Sequence, residues 1–238
     1  MDAKTSAISS SLNALTKEYE TITNNLANSN TVGFKRQCNS FTKSLNALQG
    51  NGTDGGTVDT AFDFSQGSLM YTGSRFDMSL SGKGFFAVET PEGPLYTRNG
   101  LFQLNSQGHL VDMEGRTIAG KEGPLIFPQD MSSADMHVSE DGVIRVKDNT
   151  VGQLKLTDFG ADEAKLVPVG KNCFAAPQSL TGETAKATVK QGYQESSNVA
   201  AVEEMVDLIT ITRLYQTNMK LLSNNSDNSK SLLGVAMG

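Results

Sequence analysis

The sequence predicts an α+β protein. Its two ends carry apolar residues at heptad spacing, and its long middle breaks into short β-prone runs separated by glycine turns. The expected architecture is a pair of N- and C-terminal heptad helices forming a coiled-coil module, plus a central, mostly antiparallel all-β domain. The expected boundaries are 1–35 and 196–238 for the helical module, 36–63 for a flexible linker and 64–195 for the β-domain.

The first helix is read over residues 4–28. Ile8, Leu12, Leu15, Tyr19, Ile22 and Leu26 recur at alternating spacings of four and three, a seam of about three heptads. Lys17, Glu18 and Glu20 lie off the seam, and no proline interrupts it. Asn24, Asn25, Asn28 and Asn30 weaken the helix, because asparagine side chains compete locally for backbone hydrogen bonds. Gly33 is the natural stop.

The second helix is read over residues 196–233. Met205, Leu208, Thr212, Tyr215, Met219 and Leu222 repeat the three-four spacing, and Val202, Ile209 and Leu221 widen the apolar face. Ser196, Ser197 or Asn198 would cap its start. An isolated amphipathic helix of this length is marginal in water, and its open seam is a sticky surface. Both helices are therefore expected to gain full order only when partners bury them.

Between the helices, Gly50–Thr57 holds no core-forming residue and reads as a loop. From about Phe64 to Gln191 the runs Phe85–Val88, Leu95–Thr97, Leu101–Leu104, His109–Val111, Val143–Val146 and Gln153–Leu156 read as strands. Asn99-Gly100, between two of them, is a strong tight-turn dipeptide.

The chain has 238 residues, a formal charge of −6 and a pI near 5.0. That charge disfavours a nucleic-acid partner, which needs a basic stripe, and adhesion to an anionic membrane surface. No stretch approaches the ~20 apolar residues of a spanning helix, so no direct membrane insertion is expected. The first residues lack the apolar core of a signal peptide. The chain either stays in the cytosol or leaves by a route that cleaves no such signal. Cys38 and Cys173 form no C-x-x-C pair, and sequence neither infers nor excludes a disulfide between them. His109 and His137 have no neighbour at metal-ligand spacing. Gly82-Lys83-Gly84 lacks the third glycine and following helix of a dinucleotide loop, and there is no G-x-S-x-G elbow. No catalytic, cofactor-binding or metal-binding residue is assigned; no cofactor and no enzymatic activity are expected.

Asn24-Asn25-Leu26-Ala27-Asn28-Ser29-Asn30-Thr31-Val32-Gly33-Phe34-Lys35 resembles the N-terminal signature of the flagellar rod and hook family. That signature has an N-N-L-A-N core, then N-T, one variable position and G-F-K. Leu80–Val88 looks like the first strand of the family's β-domain, and Tyr96–Phe102 followed by Gly108–Val111 looks like its hairpin. Ser197-Asn198-Val199 followed by Glu204–Ile209 looks like the start of its C-terminal helix. Length, Tyr71–Asp77, Gly120–Leu125 and Gly152–Leu156 resemble the proximal-rod type. Gln191–Val199 fits the distal-rod type at least as well.

The resemblance implies a structural subunit of the bacterial flagellar basal-body rod. Such subunits leave through the flagellar type III export apparatus without signal cleavage. They assemble with copies of themselves and other rod and hook subunits into a periplasm-spanning tube that transmits torque. The terminal helices would form its inner coiled-coil layer and the β-domain would lie outside. Ile8, Leu12, Leu15, Tyr19, Ile22, Leu26, Met205, Leu208, Thr212, Tyr215, Met219 and Leu222 are the expected assembly interface. Asn24, Asn25, Leu26, Ala27, Asn28, Asn30, Thr31, Gly33, Phe34 and Lys35 carry the motif, expected to turn the chain from the axial helix toward the outer layer. The competing reading is a soluble binding module or adhesin with helical oligomerisation arms. An aromatic content of 7% without tryptophan disfavours it.

Overall fold

The computed structural model describes residues 3–39, 60–128 and 133–236. Gly50–Thr57, read above as a loop, lies outside them. The chain forms two compact units. A helical unit takes Met1–Ser29, Gln37–Asp63 and Val199–Gly238, and a β unit takes Asn30–Arg36 and Phe64–Asn198. The sequence reading ended the helical module at residue 35. The structure divides the motif instead, because residues 30–36 find their hydrogen-bond partners in the β unit.

In the helical unit, helix α1 (Ala3–Ala27) packs against helix α2 (Ala201–Ala236). Leu15 and Ile22, seven residues apart, are buried on the same face of α1. The expected linker is structured at both ends. Strand β1 (Gln37–Asn39) pairs antiparallel with β2 (Thr60–Phe62), Gln37 opposite Phe62. The Asn39 amide fastens β1 to α1, donating to Glu18 Oε2 at 2.8 Å and Thr21 Oγ1 at 2.9 Å.

The β unit is antiparallel in every ladder among the described residues. Its strands are β3 (Leu69–Tyr71), β4 (Met78–Ser81), β5 (Phe85–Glu89), β6 (Leu95–Thr97), β7 (Phe102–Leu104), β8 (Leu110–Asp112) and β9 (Thr117–Ile118). After these come β10 (Met136–Val138), β11 (Val143–Val146), β12 (Asn149–Gln153), β13 (Leu156–Asp158) and β14 (Val167–Gly170). The last four are β15 (Cys173–Ala175), β16 (Glu183–Thr184), β17 (Thr188–Gln191) and β18 (Tyr193–Glu195). The main sheet runs β14-β15-β6-β5-β9-β8-β7, with β13 bridging β5 and β16. A meander β10-β11-β12 and the pairs β17-β4 and β18-β3 complete the unit. Strand β5 is buried through Phe85, Phe86, Ala87 and Val88, as a near-continuous apolar run requires. Phe86, Val88, Leu110, Ile118, Leu125, Ile144 and Leu154 share one core, each large side chain contributing about 1.5–3 kcal/mol by burial.

Asn99-Gly100 does not join paired strands. Strand β6 pairs with β5 and β15, and β7 pairs with β8. The turn serves a close approach instead: the Met78 N–H donates to Gly100 O at 2.9 Å, and a Cβ on Gly100 would lie 1.5 Å from Met78 O. Asn99 Oδ1 holds the bend by accepting from the Leu101 N–H. Helix α2 begins at Ala201, not at residue 196. The Asn198 side chain is committed to Arg36 and Ser65.

Candidate functional site

The second half of the asparagine motif is built into the β unit. Gly33 sits at φ +68, a conformation glycine adopts without steric cost. Its N–H donates to Glu195 O at 2.7 Å. The Asn172 amide donates to Val32 O, and Phe34 is buried. The Arg36 N–H donates to Asn198 Oδ1 at 2.7 Å. Thr31 is partly buried and Asn30 is exposed.

Lys35 ends this segment inside the protein, its side chain and that of Glu195 both wholly buried. Lys35 Nζ donates to Glu195 Oε1 at 2.7 Å and to Ser65 O at 2.6 Å. Glu195 Oε1 also accepts the Gly67 N–H at 3.0 Å. A second buried cation stands on the other side of the carboxylate, with Arg98 Nη1 3.5 Å from Glu195 Oε2. Arg98 Nη2 donates to Gly82 O at 2.6 Å, and the guanidinium lies over the Phe85 ring. Burial lowers the Arg98 pKa, while Glu195, Glu163 and Asp158 act to raise it. One carboxylate thus holds two buried cations, tying the motif segment to β18 and to the bend after β6. Among the described residues no cluster of histidine, cysteine and carboxylates could hold a metal. Cys173 is a free thiol whose pKa burial pushes up. The arrangement is a fastening.

The first half of the motif closes α1 in the helical unit. The Asn28 amide donates to Asn24 O at 2.9 Å, and Ser29 Oγ donates to Leu26 O at 2.9 Å, satisfying terminal carbonyls. Asn24 and Ala27 are exposed and Leu26 is half-buried. Asn25 is buried and treats Gln37 as a strand neighbour would. Its Oδ1 accepts the Gln37 N–H at 2.8 Å, and its Nδ2 donates to Gln37 O at 2.9 Å and to Glu204 Oε2 at 3.4 Å. Asn25→Ala strands both groups of Gln37 and is expected to destabilise the helical unit by about 1–3 kcal/mol. Thermal melting followed by far-ultraviolet circular dichroism checks this, and an unchanged melting temperature would refute it.

The heptad residues fall in two classes. Leu15, Tyr19, Thr212 and Tyr215 line one cleft between α1 and α2, together with Thr16 and Ile211. Ile22 is buried, and Leu12, Leu208 and Leu222 are half-buried. Met205 and Met219 are exposed at 50% and 44%, so α1 covers them only in part. The side chain of Ile8 lies outside those described.

Sequence reasoning missed Arg98, Glu195 and Glu204. A lone charge in a β-prone run carries no local signal. Glu195 is separated from Lys35 by 160 residues, so only the fold reveals the pair. A weak hint stands at Glu204, an acidic residue on the mainly apolar inner face of α2.

Comparison with known proteins covers most of the chain. Residues 7–35 match the family described as flagella basal body rod protein. Residues 79–146 match the flagellar hook protein FlgE/F/G D1 domain, and residues 190–235 match the flagellar basal body rod FlgEFG protein C-terminal family. The chain is 34% identical to the flagellar basal-body rod protein FlgG of Caulobacter vibrioides, over 86% of this chain and 88% of that one. It is 31% identical to the flagellar basal-body rod protein FlgF of Mesorhizobium japonicum, over 93% of each. With FlgG of Borreliella burgdorferi the identity is 30%, over 95% of this chain and 94% of the relative.

Proposed function

This chain belongs to the flagellar basal-body rod protein family, and on that premise we propose that it is a non-enzymatic subunit of the rod that self-assembles through its terminal helices. Within the family the resemblance is first to the proximal-rod type and next to the distal-rod type. Its neighbours are copies of itself and other rod and hook subunits. It reaches the rod through the flagellar export apparatus without a cleaved signal and carries torque across the periplasm. Among the described residues no helix is long and apolar enough to cross a membrane.

The observation that carries the assembly reading is the split face of α2. One side is used against α1, and Val202, Val206 and Ile209 stay exposed on the opposite side, with Met205 and Met219 only part-covered at the edge of the contact. A run of exposed apolar residues on one helix marks a contact surface. In a coiled-coil layer, such residues become the knobs that neighbouring helices receive. The buried Lys35–Glu195–Arg98 cluster suits a torque-bearing part. Breaking it exposes unpaired charge in a low-dielectric interior, so the fastening resists partial opening.

Met219→Glu adds a charge at a part-exposed site, whereas Leu15→Glu removes a side chain buried in the α1–α2 contact. Both variants are expected to vanish from purified basal bodies while the β unit keeps its fold. Immunoblots of basal bodies from a deletion strain carrying each variant read the outcome. A Met219→Glu chain that enters the rod at the wild-type level and supports swimming would defeat the proposal.

A further inference from the structure

Among the described residues, three buried side-chain polar atoms have no hydrogen-bond partner: Ser79 Oγ, Arg98 Nη1 and Glu195 Oε2. All three belong to the β unit. Two of them meet in the fastening, where Arg98 Nη1 stands 3.5 Å from Glu195 Oε2. A direct charge-assisted hydrogen bond would measure about 2.7–2.9 Å, so this pair attracts without closing one.

Ser79 supplies the third atom. Met78 and Leu80, on either side of it, belong to the core. Side chains alternate along a strand, so Ser79 points to the opposite side of β4, where it is also wholly buried. The backbone around it is tied to the segments that carry the fastening. The Met78 N–H donates to Gly100 O, two residues beyond Arg98. The Gln66 amide donates to Leu80 O at 2.7 Å, and the N–H of the next residue, Gly67, donates to Glu195 Oε1 at 3.0 Å. Arg98 Nη2 reaches Gly82 O, just past the end of β4. These ties bring the Ser79 hydroxyl to the fastening, and the three atoms form one group.

Leaving a buried polar atom unsatisfied is costly, and three in one place call for one occupant. That occupant must accept from Arg98 Nη1, which can only donate. It must also donate to Glu195 Oε2, which as a carboxylate can only accept. An anion has nothing to donate to Oε2 and would bring like charge against it. A metal ion or an ammonium group cannot accept from the guanidinium. Water does both and keeps a further lone pair or proton for the Ser79 hydroxyl, and about three polar partners is the usual number for a buried water.

We propose that Ser79, Arg98 and Glu195 bind one internal water molecule, which completes the Lys35–Glu195–Arg98 fastening and ties β4 into it. Both carboxylate oxygens of Glu195 are then in use. Oε1 takes Lys35 and the Gly67 N–H, and Oε2 takes the water beside Arg98. The site is independent of the rod-assembly reading, because every group in it lies within the β unit of one chain.

Ser79→Ala in the full chain tests the site by the sign of its effect. If the hydroxyl is truly orphaned, its removal relieves a burden and should raise the folded-to-unfolded ratio. If it bonds a trapped water, its removal should lower that ratio by about fivefold, the equivalent of one typical net hydrogen bond. Urea unfolding followed by tyrosine fluorescence reads the ratio, and an unchanged or raised value would overturn the site. A crystal structure of the full wild-type chain, at a resolution that orders waters, gives a second readout that needs no variant. One density peak within about 3.2 Å of all three atoms is expected, without anomalous signal when bromide replaces chloride in the crystals. The lack of a peak, or a bromide signal in its place, would overturn the proposal.

Discussion

Glu195→Leu is expected to destabilise the β unit by about 3–5 kcal/mol, because it leaves Lys35 and Arg98 buried without their shared counter-ion. Lys35 would keep the Ser65 carbonyl at 2.6 Å and Arg98 the Gly82 carbonyl at 2.6 Å, but neither oxygen carries a full negative charge. The sign of the effect distinguishes a buried charge network from ordinary packing. Adding Lys35→Met to Glu195→Leu should recover much of the loss, since an ion pair replaced by apolar groups of similar volume is often neutral or better. Recovery stays partial while Arg98 remains. With no tryptophan in the chain, tyrosine fluorescence in urea follows the unfolding. Tyr96, buried against Phe159 in the β unit, is a suitable reporter. A Glu195→Leu midpoint equal to wild type would mean that Lys35 and Arg98 are not charged in the folded state or that water reaches them.

The same cluster explains what the sequence could show and what it could not. Both terminal helices and the β-rich middle were legible, because they rest on local periodicity. The motif from Asn24 to Lys35 was legible as a helix stop, and its Asn28 and Ser29 bonds to helix carbonyls are local chemistry of the expected kind. Its division between two units was not legible. Lys35 looks like any solvated lysine until β18, far along the chain, supplies Glu195. Asn198 looked like a helix cap for the same reason: its residue type fits a cap, and only the fold shows it reaching Arg36. Asn99-Gly100 promised a hairpin because that dipeptide favours tight turns. The strands beside it found other partners, which pairing over long sequence distances decides. On α2, periodicity placed Met205 and Met219 in one seam with Leu208 and Leu222. In the structure Leu208 and Leu222 are half-buried while Met205 and Met219 stay 50% and 44% exposed, because a single partner helix covers only part of so wide a seam.

Gly33→Ala should be the most damaging single-methyl change in the motif, and a second glycine provides the control that shows why. A Cβ at Gly33 would stand 2.5 Å from Arg98 C and from Asn99 N, and 2.6 Å from Arg98 O. All three atoms are backbone, so no rotamer change relieves the clash. The alanine must also hold φ near +68, which costs an L residue about 1–2 kcal/mol. Gly160 has φ +56 with nothing within 4 Å of an added Cβ, so Gly160→Ala carries only that dihedral strain. Overpacking adds about 1–3 kcal/mol, and Gly33→Ala is expected to lose about 2–5 kcal/mol in total where Gly160→Ala loses about 1–2. The damage should also be directional. Gly33 donates to Glu195 O, so pushing it outward draws Lys35 away from the carboxylate two residues on. Trypsin cuts after lysine and arginine, and cleavage after Lys35 and Arg36 should accelerate in Gly33→Ala but not in Gly160→Ala. Equal cleavage rates in the two variants would show that residues 30–36 tolerate the added methyl by local adjustment, and that the close approach to Arg98 does not hold the motif in place.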